Sequence, residues 1–161
     1  MIRLFPITAL VGFALLAACS NEDDPVNDSV NKAAIMPMLG AVMHSETKDV
    51  LRLAKQGTGL DERYPANQTT PMIMASGSDQ WPVVEILVDH GANIWAHDKF
   101  GTTMPQMAIT SRILPGSDED KARLRVIETL KARGYPFSPR GRAEILALEK
   151  DGKWPPLEVA R

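Results

Sequence analysis

The sequence predicts an all-α fold of about three stacked helix pairs with a short capping helix behind them. Three observations predict it. A motif returns after about 33 residues: Thr70-Pro71-Met72-Ile73-Met74-Ala75, then Thr103-Met104-Pro105-Gln106-Met107-Ala108, with Met36-Pro37-Met38-Leu39-Gly40-Ala41 of the same shape upstream. Proline stands near each start and glycine after each second segment, the order in which helices open and close. Between these marks, apolar residues recur at helical spacing.

In order along the chain, the first pair spans Met36 to Gly57, with Val50-Leu51-Arg52-Leu53-Ala54 in its second helix. The second pair starts at Thr70. Its second helix opens at Pro82 and offers Val83, Val84, Ile86 and Leu87 to a core. Trp81 is expected to staple that helix. The third pair starts at Thr103 and carries about ten extra residues, Thr110 to Lys121, between its helices. Ser117 is an expected N-cap, and Asp118, Glu119 and Asp120 suit the positive helix end before Lys121 to Arg133. Arg142 to Lys150 reads as a short amphipathic helix stopped by Asp151-Gly152, and Trp154-Pro155-Pro156 cannot extend it. That helix is expected to cover the last pair, with Trp154 tucked back onto it or free for binding. No pair can bury its apolar face alone, so neighbours must stack.

The period, the Thr-Pro start and the Gly91-Ala92-Asn93-Ile94 stop resemble the ankyrin repeat. The likeness covers about residues 35 to 137. Trp95 stands where the family carries a polar asparagine, and Met104 where it carries proline. The resemblance implies a short ankyrin-repeat solenoid over 35–161, which binds proteins through its hairpin tips and first helices.

The leader carries a second signal. Arg3, an apolar run from Leu4 to Leu16, and then Ala17 and Ala18 have the order of a secretory signal, over residues 1–18. The run is shorter than the roughly 20 residues that span a bilayer. Leu16-Ala17-Ala18-Cys19 resembles the lipobox of bacterial lipoproteins. That resemblance implies cleavage before Cys19 and attachment of fatty acids such as palmitate to it. A plain signal with a chance cysteine, or a short anchor helix, is the alternative. Residues 19–34 are acidic and poor in apolar side chains, a flexible linker or else a loop packed on the domain. Ser20 after the cysteine, rather than aspartate, leans toward the outer membrane facing the periplasm.

Composition narrows the function. The chain has 18 Lys+Arg and 20 Asp+Glu, and loss of Arg3 leaves 17 bases, so no nucleic-acid surface is expected. Cys19 is the single cysteine, so a lipidated chain has no thiol for catalysis, disulfide or metal. His44, His90 and His97 form no metal-ligand spacing and are expected in structural or surface roles. No nucleophile elbow, phosphate loop or dinucleotide motif is present. The methionines read as core filler rather than a copper site. No enzyme activity, metal or cofactor is expected.

The expected partner is a protein, met by the tip residues Arg63, Tyr64, Trp95, His97, Lys99 and Phe100. Aromatics and arginine dominate interface energetics. The alternative has Trp95 packed under its hairpin and Tyr64-Pro65 stiffening the first connection. Small periplasm-facing ankyrin-repeat lipoproteins resemble immunity proteins encoded beside type VI secretion phospholipase effectors. The implied role is to cover such an effector's active site. The rival is an envelope scaffold or adaptor for a resident periplasmic protein. The free protein is expected to be a monomer.

Overall fold

The computed structural model describes residues 36–137 and 140–156. Cys19, the leader and the linker lie outside the described residues, as does Leu157. Seven helices form among the described residues: α1 Pro37–Met43, α2 Thr47–Lys55, α3 Pro71–Gly77, α4 Trp81–Asp89, α5 Met104–Thr110, α6 Asp118–Ala132 and α7 Arg142–Lys150. The one β-type feature among them is an isolated bridge between His97 and Thr103, so the class is all-α. None of these helices is long and apolar enough to cross a membrane.

The first six helices form three pairs: α1 packs on α2, α3 on α4, and α5 on α6. First helices touch in succession, α1 to α3 to α5, and second helices do the same, α2 to α4 to α6. Two layers result, with one continuous core that includes Met38, Val50, Met72, Trp81, Leu87, Met104 and Leu130.

Local chemistry sets the ends. The Thr70 hydroxyl accepts from Ile73 N–H at 3.3 Å, capping α3. At α5, Gln106 reaches back to the Thr103 N–H at 3.3 Å. Ser117 accepts from Asp120 N–H at 3.1 Å, the expected cap of α6. Second helices close through one bond type. Gly91 turns left-handed (φ +89°), and the following Ala92 N–H donates back to Leu87 O at 3.0 Å. The same reach joins Thr58 to Leu53 and Tyr135 to Leu130.

After first helices α1 and α3 the left-handed residue is not glycine but Ser45 and Asp79. Asp79 is held there by its side chain, whose Oδ1 accepts from Trp81 Nε1 at 2.9 Å and from Ser111 Oγ at 2.8 Å. Trp81 is fully buried, a core side chain as well as the first residue of α4.

The third pair departs from this plan, because the insertion divides. Ser111 to Ser117 is a loop, and Asp118 to Lys121 become an extra first turn of α6. Asp120 secures it by accepting from Gly116 N–H and Arg123, which hold its carboxyl below the usual carboxylate range. Arg123 also donates to Ala108 O at 2.8 Å, fastening α6 to α5.

Helix α7 forms over the expected residues. Its segment is tied to the connection between α4 and α5 and to α5 itself. Gly101 (φ +75°) lies so close that a Cβ there would sit 2.3 Å from Arg142 O. Gln106 Nε2 donates to Arg140 O at 2.6 Å, and Ile145 is the buried side chain of α7. Trp154 folds back onto Trp95. It donates Nε1 to Trp95 O at 2.9 Å and meets the Trp95 ring edge-on at 5.5 Å. The Trp95 ring is itself stacked on Tyr135.

Candidate functional site

The connections between pairs lie side by side and are bonded to one another. The first, between α2 and α3, turns back at Tyr64, whose N–H donates to Thr69 O at 2.9 Å. The second, between α4 and α5, turns at Asp98. Its Oδ1 accepts from Phe100 N–H at 2.9 Å and Thr102 N–H at 2.8 Å, which fixes the tip Lys99-Phe100-Gly101. Asp98 is buried, so it shapes the turn as expected of an aspartate there.

Four bonds join the two connections. Asp61 accepts from Asn93 N–H at 2.8 Å. Arg63 Nη1 donates to His97 O at 2.9 Å and, within its own turn, to Gln68 O at 3.2 Å. Lys99 N–H donates to Asn67 O at 2.9 Å, and its ammonium bonds Ala66 O. The acceptors of Arg63 and Lys99 are backbone carbonyls. Their donors are engaged while their charge is matched by no carboxylate in these bonds.

The six expected contact residues therefore separate. Phe100 stands on the crest, 54% exposed, with the Lys99 ammonium 5.1 Å from its ring centre. Arg63 and Lys99 are exposed and also clamp the two tips together. Tyr64 is half-buried at the base of the first tip. Trp95 is half-buried, stacked on Tyr135 at 4.4 Å, which favours its packing role over a free contact. His97 is buried: Nδ1 lies 2.8 Å from Asp98 O, and Nε2 lies 3.1 Å from Glu149 on α7.

Beneath the crest, Trp95, Tyr135, Phe137 and Trp154 form one aromatic cluster. Burial pushes the Tyr135 hydroxyl up to about 12, an effect partly offset by Thr103 and the Arg140 charge. The cluster joins the second connection to the chain after α6 and to the segment after α7. Phe100 is thus a spare aromatic on a ridge whose other aromatics hold the ridge together.

Arg142 completes the ridge. It is exposed, and its backbone lies against Gly101. Sequence reading missed it because it belongs to the capping segment, and only the small size of Gly101 brings that segment to the tip. The surface clefts on the first pair, one between α1 and α2 and one over Lys48, Leu51 and Lys55, do not touch this ridge. Among the described residues, no three His, Asp or Glu side chains converge as a metal site. The chain matches no model of a known protein family, and no curated protein matches it.

Proposed function

We propose that this chain is a lipid-anchored, periplasm-facing ankyrin-repeat protein that captures a partner protein on the bonded tip ridge. The partner we favour is a type VI secretion phospholipase effector, whose active site the ridge would cover. The observation that carries a binding role is Phe100, exposed on a crest that is already rigid without it. Rigid presentation lowers the ordering cost of association. The Lys99 ammonium lies beside it, and Arg63 and Arg142 belong to the same ridge, so the fitting surface has an apolar pocket and an acidic rim.

The repeat assignment is supported by the layered pairs, the Thr70 cap and the left-handed close of second helices. The anchor rests on Leu16-Ala17-Ala18-Cys19, and tethering would concentrate the protein where a phospholipase must act.

The test is co-purification of the full chain with a type VI secretion phospholipase effector from the same organism, compared with Phe100→Ala and Phe100→Glu. Both variants should keep the wild-type melting temperature, and Phe100→Ala should weaken capture at least about tenfold, as for an interface anchor. Equal capture by all three proteins would remove the ridge from the account. Recovery of a resident envelope protein in place of the lipase would convert the reading to an adaptor.

A further inference from the structure

Among the described residues, the third pair ends the stack with an exposed apolar edge. Leu124 on α6 is 48% exposed, and Ile109 and Leu114 of the same pair are 51% and 76% exposed. Aligning the closing glycines, Gly91 with Gly134, places Leu124 where α4 carries the fully buried Trp81. The bond from Arg123 to Ala108 O joins α6 to α5 at the residues next to Leu124 and Ile109.

Lys121, Leu124, Glu128 and Lys131 are all exposed, and their spacing puts them on one face of α6, with Asp118 at its edge. The charges on this face complement their own reversal. About the midpoint between Leu124 and Arg125, Lys121 mirrors Glu128 and Asp118 mirrors Lys131. Two copies of α6 crossing antiparallel would set Lys121 opposite Glu128, and Asp118 opposite Lys131, twice each around a Leu124 centre. Parallel in-register copies would set like charges together. Arg125 does not disturb the antiparallel arrangement, because Glu85 of α4 holds it at 2.5 and 2.8 Å. The existing pairs, Asp118 with Lys121 at 3.0 Å and Glu128 with Lys131 at 2.8 Å, would become shared four-charge clusters.

We propose that α6 is a self-docking surface, where a second copy of this chain pairs antiparallel about a twofold axis between Leu124 and Arg125. The patch is small beside a permanent interface, so pairing is weak, with dissociation on the order of 100 µM, and dilute protein stays monomeric. This leaves the tip ridge of each copy free, and the proposal does not depend on what that ridge binds.

The experiment uses the full chain with Cys19→Ser, which removes the one native thiol. Leu124→Cys should form a disulfide-linked dimer at high protein concentration, while Met43→Cys, somewhat more exposed and on the first pair, should not. In sedimentation equilibrium, Lys121→Glu and Glu128→Lys should each weaken pairing by about tenfold through like-charge contact. The double reversal Lys121→Glu/Glu128→Lys should restore it. A monomer throughout, equal cross-linking at positions 43 and 124, or a double variant as weak as the singles would overturn the proposal.

Discussion

Replacing Trp95 by alanine separates its two readings. The ring stacks on Tyr135 at 4.4 Å and takes the Trp154 edge at 5.5 Å. Each such aromatic pair contributes about 0.5–1.5 kcal/mol beyond area burial, so the two together give about 1–3 kcal/mol. Full burial would put a Trp-to-Ala change at about 3–5 kcal/mol, and the half-exposed ring lowers that share. The Trp154 indole bond survives, because its acceptor is the Trp95 backbone carbonyl. The net expectation is a loss of about 2–4 kcal/mol. For a domain of this size that lowers the melting temperature by about 8–16 °C. The assay is thermal unfolding of the Cys19→Ser chain followed by circular dichroism at 222 nm, with Phe100→Ala as the control. Phe100→Ala should melt within about 2 °C of wild type, as an exposed substitution does. A Trp95→Ala protein as stable as the control would contradict this packing role. The aromatic cluster would then hold nothing, and Trp95 would return to the contact surface.

The other predictions concern the ridge, the turns and the anchor. Gly101→Ala forces a left-handed residue with a Cβ against Arg142 O, with strain alone near 1–2 kcal/mol. It should release α7, seen as faster amide exchange over residues 142–150. Asp79→Gly removes two side-chain bonds but keeps the left-handed turn, whereas Asp79→Ala should cost about 1 kcal/mol more by denaturant titration. Tyr135 keeps its proton in the fold to about pH 12, while the unfolded chain loses it near its ordinary value of 10. Its contribution is therefore complete below pH 10 and falls as pH rises through 12. That loss, on the order of 2 kcal/mol, should be absent in Tyr135→Phe. Cys19→Ser should move the protein from the membrane to the soluble fraction, and unchanged membrane fractionation would defeat the anchor.

What was legible in the sequence was local. Thr70, Ser117 and Gly91 signal helix ends through bonds that reach no further than five residues, so the pairs could be read before any packing was known. The insertion was legible as a length but not as a shape. Its acids extend α6 by a turn, while its loop is set by Gly116 bonding Asp120. The ridge was legible as a set of residue types, yet their division into clamp and contact was not. Arg63 meets His97 across 34 positions, and Trp154 meets Trp95 across 59. No local pattern encodes such pairings. The seat of α7 is not encoded locally either: Gly101 looks like a turn glycine and also serves as the gap into which Arg142 fits.

The claim that a rigid ridge captures a protein through one spare aromatic is tested most directly by an inhibition titration. A type VI secretion phospholipase effector from the same organism would be assayed on phospholipid vesicles with increasing amounts of wild-type chain or Phe100→Ala. The account predicts loss of lipase activity at one chain per enzyme, with at least about ten times more of the variant needed for the same effect. Full lipase activity in excess wild-type chain, or identical curves for the two proteins, would contradict it.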